Sequence, residues 1–233
     1  MKKLVAVIVV LAAIVGGATY WLSGNLDGLV RDAIGRYGTA MAGARVSVDS
    51  VQIAVADGKG SLGNLVVGNP AGFKTPHALK VGRVEIEIDP GSLASDVVVI
   101  RRIAVLAPDV IYEKGEAMTN FDALQKNIAA YLGPSESKAP GKKLIVEELT
   151  VRDAKAQASA AFMNGKTVAV PLPDIALHNL GKAKGGITPG ELGQEITSAL
   201  KAKLAAAVSF DRLLKSGGEA LDKAGAKIKG LFK

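Results

Sequence analysis

Along the 233-residue chain the spacing of apolar positions changes from continuous to helical to alternating. Residues 4–22 carry no charge. In a helix this run would be roughly 28 Å long, close to the hydrocarbon thickness of a bilayer. It predicts a transmembrane anchor, with Leu4, Val10 and Ile14 among its lipid-facing positions and Tyr20 and Trp21 at the far interface. Lys2 and Lys3 place the N-terminus on the cytoplasmic side. The competing reading is a cleaved signal peptide, with Gly16, Gly17 and Ala18 as the small residues of a cleavage site. The apolar run is longer than the ~7–15 residues usual for that segment, which favours the anchor.

From residue 25 to 41 apolar residues recur at helical spacing: Leu26, Leu29, Val30, Ala33, Ile34, Tyr37 and Met41. Alternation then takes over. In "RVSVDSVQIAV" it runs through Val46 and Val48, slips one position, and resumes at Val51, Ile53 and Val55. That slip predicts a β-bulge. Leu65 and Val67 alternate in the next segment. Val84, Ile86 and Ile88 alternate most cleanly, opposite Arg83, Glu85, Glu87 and Asp89. Such segments predict an antiparallel sheet with one apolar and one wet face. "VVVIRRIAV" and "DVIYE" add strands broken at Pro108.

Asn120 reads as the N-cap of a short helix ending near Gly133. Strands resume in "LIVEELTVRDAKAQASA" and "GKTVAVPLPDIALHNL", joined by a turn at Asn164-Gly165. Thr188-Pro189-Gly190-Glu191 is a capping box with proline at the first helical position, followed by Leu192, Ile196, Leu200 and Leu204. Ser216-Gly217-Gly218 interrupts the helical spacing before a last basic segment.

Composition narrows the function. Net charge is +7 and there is no cysteine, which excludes thiol catalysis, Cys-zinc sites and disulfides. The two histidines, His77 and His178, have no ligand-spaced partner and read as surface or structural residues. Gly58-Lys59-Gly60-Ser61-Leu62-Gly63 matches the dinucleotide pattern, but "NLVVGNP" follows it where a helix should open, so it reads as a hairpin. Glu85 and Glu87 share a strand face and read as solvating charges. No nucleophile, base or metal constellation emerges, so neither an enzyme nor a cofactor is expected. From residue 199 to the end the net charge is +5. There Ile228 and Phe232 lie on an apolar stripe flanked by Lys223, Lys227 and Lys229. This is a candidate membrane-surface or docking element, or else a solvated helix packed on the sheet. Nucleic acid is not an expected partner, because aromatic interleaving is missing.

The stretch "SVQIAVADGKGSLGNLVVGNPAGFKTPHALKVGRVEIEIDPGSL" resembles the small, single-span members of the AsmA-like family of bacterial envelope proteins. The resemblance continues through "PDVIYE", "NFDALQKNI", "KKLIVEELTVRDAK" and "VPLPDIALHNLGKAKGGITPGEL", over most of residues 45–207. It implies an inner-membrane anchor, a periplasmic β-rich body and a part in envelope or outer-membrane lipid homeostasis. Larger relatives are thought to carry lipids along elongated β grooves, and this chain is much shorter. The resemblance offers no catalytic motif to transfer.

Together these readings give an α+β protein: an N-terminal transmembrane helix and a twisted antiparallel sheet, shaped as a groove or covered, with flanking amphipathic helices. The expected organisation is an anchor over 1–24, a membrane-proximal helix over 25–44, a β-rich domain over 45–187 with an inserted helix at 120–133, and basic amphipathic helices over 188–233. The expected function is an anchored, periplasmic, lipid-handling protein of the bacterial inner membrane, with lipid as partner. Val84, Ile86, Ile88, Leu65 and Val67 are its lipid-facing or core candidates. The alternative is a scaffolding subunit that docks other envelope proteins through helices at 192–208 and 219–233.

Overall fold

The structure is a computed structural model that describes residues 26–132 and 142–209. The expected anchor residues Leu4, Val10, Ile14, Tyr20 and Trp21 lie outside this range. So do Lys223, Lys227, Ile228, Lys229 and Phe232. Among the described residues no helix is long and apolar enough to cross a membrane. The fold is α+β: a single sheet with three α-helices among the described residues.

Helix α1 (Leu26–Ala42) ends one residue later than its apolar spacing predicts. It is followed by β1 (Val46–Ser47), β2 (Ser50–Ala54), β3 (Lys59–Val67), β4 (Leu79–Ile88), β5 (Val97–Leu106) and β6 (Asp109–Lys114). Helix α2 (Asn120–Leu132) precedes β7 (Lys143–Arg152), β8 (Lys155–Ala160), β9 (Val168–Val170) and β10 (Ile175–Leu180). Helix α3 (Pro189–Ala207) comes last.

The sheet is mixed, which corrects the antiparallel expectation. β5 pairs with β7 in parallel, and so does β6 with β8. The segment containing α2 crosses from β6 to β7 and starts the new strand at the same end as β5. Alternation of apolar residues reports which face is buried but not the direction of the neighbour.

The ten strands reduce to six long ribbons. From Leu79 to Glu87, β4 keeps one register against β6 and β5, with a shift at Ile88; β7 and β8 keep one offset from β5 and β6, and β9 and β10 keep one register against β8 and β7. β1 and β2 likewise share a register against β3. Extending these registers brings Asp49, Asn64, Gly82, Ala107, Asp153 and Pro173 into one transverse row. The apolar pattern slips at this row in every ribbon. Val48 and Val51, both buried, flank Asp49, and Leu62 and Leu65 pack on the same cluster either side of Asn64. Val81 and Val84, and Val151 and Ala154, repeat the three-residue step. Asn64, Ala107 and Asp153 have left-handed φ of 52°, 46° and 55°. A left-handed residue rotates the strand so that positions i and i+3, rather than i and i+2, share a face. The slip at Val48 and Val51 is therefore one sixth of a sheet-wide feature, not the isolated bulge that the spacing predicts.

The row divides the core. On one side Val46, Ala78, Val110, Tyr112, Ala156 and Ala158 pack under α2 and the end of α3. On the other, Ile88, Val98, Ile100, Leu144, Val146 and Leu149 pack under the start of α3. Leu192 and Ile196 belong to the second cluster, Leu204 and Val208 to the first, and Leu200 touches both. α3 is thus the internal brace of the protein, and its apolar stripe is not available to dock a partner as the scaffolding alternative required. Its start is the expected capping box: Glu191 N–H donates to Thr188 Oγ1 at 3.2 Å, and Thr188 N–H to Glu191 Oε2 at 2.7 Å. The Thr188 N–H is the main reason that the Glu191 carboxyl titrates below its ordinary value.

The cap of α2 differs from expectation. Asp122 N–H donates to Thr119 Oγ1 at 3.1 Å, while the Thr119 N–H and hydroxyl donate to Asp122 Oδ2 at 2.9 and 2.7 Å. Thr119 therefore caps the helix, and Asn120 is released for a buried role described below. Asp122 also meets Lys201 of α3 at 2.5 Å. Burial alone would raise the Asp122 pKa, but hydrogen bonds from Lys201 and Thr119 outweigh it and hold the group at about 2. A depressed folded-state pKa stabilises above the unfolded value and loses that contribution as pH falls through the folded one. Acidification from pH 5 to 2 should therefore remove about 1 kcal/mol at this site, a figure reduced for a pair about one-third exposed. Urea midpoints measured against pH check it: Asp122→Asn should be less stable at pH 6 and lose less between pH 5 and 2.

Candidate functional site

Three arrangements carry chemistry or an opening. The first is an apolar cleft of about 30 Å³ at the end of the sheet where α1 begins. Val51, Ile53, Leu62, Ile86, Ile88 and Leu93 line it. α1 packs over β1 and β2, and α3 over β7 and β10, so the apolar face of β3 and β4 is less fully covered between them. The turn Pro90–Ala94 brings Leu93 over this gap. Asp89 accepts from Gly91 N–H at 3.2 Å, Val99 N–H donates to Ser92 Oγ at 2.9 Å, and Lys142 Nζ donates to the Leu93 carbonyl. The volume is two to three times the roughly 10–15 Å³ a single water requires and far below the ~300 Å³ of small-molecule sites. The cleft fits a slim apolar group such as part of an alkyl chain, and nothing bulky.

The sequence-expected lipid-facing residues divide here. Ile86 and Ile88 line the cleft, although Ile88 is buried. Val84 is buried in the core. Leu65 and Val67 lie across the transverse row, packed on the cluster beneath the helices. They are half-buried against the core rather than in a groove, because α1, α2 and the end of α3 cover that half of the sheet. Of the two shapes left open by the sequence, groove or covered sheet, the helices cover most of the described face and leave the short cleft.

The glycine motif beside the cleft behaves as the hairpin reading expects. A single 3-10 turn, Val55–Asp57, leads to Gly58 at φ 64°. A Cβ there would lie 2.3 Å from the Ile88 carbonyl oxygen, so the turn needs glycine. Residues 59–67 continue as β3, not as a helix whose N-terminus could hold a phosphate.

The second arrangement is a buried polar network at the opposite end. Glu113, 1% exposed, accepts from Lys74 N–H, Thr75 N–H and the Thr75 hydroxyl at 2.8, 2.8 and 2.5 Å. Asn120, fully buried, donates from Nδ2 to Asn69 Oδ1 and the Ile111 carbonyl, and accepts at Oδ1 from Glu113 N–H and Phe121 N–H. Asn69 Nδ2 in turn donates to Thr75 at 2.9 and 2.8 Å. The bonds of Lys74 and Thr75 to Glu113 and of Asn120 to Asn69 clamp the 68–77 loop onto β6 and α2. The carboxylate is consumed by loop backbone, so this is a structural clasp and not an open acid or base.

The third is a ladder on β6, β8 and the 161–167 connection. His77 Nε2 lies 3.2 Å from Asp109 Oδ2, Gln157 Nε2 donates to Asp109 Oδ1 at 2.9 Å, and Thr167 donates to Gln157 Oε1 at 2.5 Å. Among the described residues the hydrogen bond given for the His77 ring is the one with Asp109. Sequence reading missed this contact because thirty-two positions separate His77 from Asp109. His178 is exposed on β10, as its place in the alternation predicts. Glu85 accepts from Arg83 Nε at 2.8 Å on the polar face of β4, which makes it a solvating charge. Among the described residues no group of three or more His, Asp or Glu side chains gathers to hold a metal.

No known protein family matches the chain, and no curated protein does.

Proposed function

We propose that the chain is a non-catalytic protein of the bacterial inner membrane, with a periplasmic body that takes part in envelope lipid homeostasis by receiving an acyl chain in the cleft. One observation carries this reading. Leu26 and Val30, at the start of α1, pack on Val48 and Val51, within the same cluster as Ile53 and Leu62 of the cleft. The described part of α1 therefore starts beside the opening, and residues 4–22 are an uncharged apolar run. A membrane-borne alkyl chain would then have a short path to an apolar site. The resemblance of the chain to AsmA-like envelope proteins supports the same reading.

A photoreactive residue placed at Ile53 in the full chain, irradiated in cells, tests it. The expected product is a phospholipid-mass adduct, absent when the group sits at Glu148 on the polar face. Adducts with a second protein at fixed ratio would favour the scaffolding alternative. The lack of any adduct would count against both.

A further inference from the structure

We propose that the corner formed by the start of β7 and the turn after β10 is a docking surface for the headgroups of an anionic phospholipid bilayer, so that the cleft end of the sheet faces the membrane. This deepens the acyl-chain reading and rests on it. The turn, residues 181–186, carries Lys182 and Lys184, and Lys142 and Lys143 open the β7 ribbon beside it. Lys182, Ala183, Lys184 and Gly185 are all exposed, and so is Lys143. Two carboxylates lie beside these four ammonium groups. Glu191 is engaged by its own cap and by Lys184 Nζ at 3.9 Å. Asp96 is exposed next to Lys143, whose N–H donates to the Asp96 carbonyl at 2.8 Å. The corner is therefore positive.

The backbone holds this turn flat against the sheet with its lysines outward. Gly181 and Gly186 have left-handed φ of 77° and 105°. A Cβ on Gly181 would lie 2.7 Å from the Leu144 carbonyl oxygen, and one on Gly186 would lie 2.6 Å from Lys143 Cβ, so both positions need glycine. Ile187, 1% exposed, closes the turn by exchanging backbone hydrogen bonds with Leu144 at 2.8 and 2.9 Å. The lysine-bearing tip thus projects from a fixed base.

Its position identifies the partner. β2, β4 and β10 end, and β3, β5 and β7 begin, at this end of the sheet. The apolar cleft is at the same end, and so is the start of α1. Val55, which lines the cleft, is 39% exposed there. Lys142 joins the two features, because its Nζ donates to the carbonyl of Leu93, another cleft residue. The lysine corner is two to three strands from the cleft, roughly 10–15 Å at the usual strand spacing. An alkyl chain entering the cleft from a bilayer brings neighbouring headgroups against the lysines. Anionic phosphate is the complementary charge, and each lysine near such a surface strengthens attachment about fivefold.

The test uses the full chain, with a photoreactive residue at Ala183, reconstituted in phosphatidylcholine vesicles with and without phosphatidylglycerol. The expected product is a phospholipid-mass adduct, several-fold more abundant with phosphatidylglycerol and reduced by added salt. Lys182→Gln/Lys184→Gln should lower its yield about fivefold or more, and Lys182→Arg/Lys184→Arg should preserve it. Lys166→Gln, exposed at the opposite end, should leave it unchanged. No adduct at Ala183, equal yields in the two kinds of vesicle, or a link to a second protein chain would overturn the proposal. A phospholipid adduct at Ile53 with none at Ala183 overturns it and leaves the acyl-chain reading standing. An adduct at Ala183 with none at Ile53 supports the docking surface and counts against the cleft as a lipid site, so the two readings fail separately.

Discussion

Replacing Asn120 with alanine should destabilise the protein by about 3–4 kcal/mol, among the larger effects a single substitution produces. Asn120 is fully buried and makes four hydrogen bonds. Its loss strands Asn69 Oδ1, the Ile111 carbonyl, and the N–H groups of Glu113 and Phe121 away from water. The penalty is the desolvation of these groups, about 1–3 kcal/mol for each that finds no water, and partial rehydration keeps the total below the sum. The neighbouring Phe121 ring packs edge-on against Tyr112 at 5.9 Å, so movement of the helix start reaches the core. Thermal unfolding should shift down by about 10 °C for a chain of this size. Amide exchange adds a local signature: Lys74 and Thr75, whose N–H groups bond Glu113, should lose protection before Val146 does. Glu116→Ala, exposed in the nearby turn, should change stability by less than about 0.5 kcal/mol. A loss below 1 kcal/mol for Asn120→Ala would mean that the network is not the clasp described.

Much of the fold can be read in the chain because local periodicity and local chemistry set it. The apolar stripe of α1 predicts its C-terminal end to within one residue, and the Thr188 capping box is where its spacing places it. Val84, Ile86 and Ile88 alternate as a strand with one covered face. What escapes is information that no single segment holds. The parallel pairing of β5 with β7 follows from the crossover, and alternation carries no strand direction. The transverse row shows as a slip at Val48 and Val51, whereas Pro108 reads only as a break between strands. Only the registers across all six ribbons unite them. The candidate site is less legible still. The cleft forms because two helices leave a gap and Leu93 folds over it, and the Glu113 clasp joins residues about forty positions apart. Asn120 misleads for a physical reason: asparagine suits a helix N-cap, but Thr119 takes that place and frees the amide for the interior.

Deleting Ala107 should abolish cooperative folding, whereas Ala107→Gly should be neutral or stabilise by up to about 0.5 kcal/mol. The substitution relieves a left-handed alanine at φ 46°, and glycine's larger unfolded-state entropy offsets part of that gain. The deletion acts on the whole row. It would turn the three-residue step from Val105 to Pro108 into a two-residue step, while β4 keeps three residues from Val81 to Val84 and β7–β8 keep three from Val151 to Ala154. The shortened ribbon could then match its neighbours on one side of the row only. If β5 keeps its register, β6 is displaced by one residue against both β4 and β8, and Val110 and Tyr112 must face away from α2 or lose their backbone pairing. Exposing those two buried side chains costs about 1.5–3 kcal/mol each before any ladder hydrogen bond is counted. The total reaches the range in which single changes unfold domains. Deleting Asp153 as well would restore the match between the two parallel ribbons but leave Gly82 of β4 out of step, so only partial recovery is expected. Circular dichroism and urea unfolding of the three variants decide the matter. A cooperative transition for the single deletion within 1 kcal/mol of the parent would show that each ribbon slips independently and that the row is a coincidence of loops.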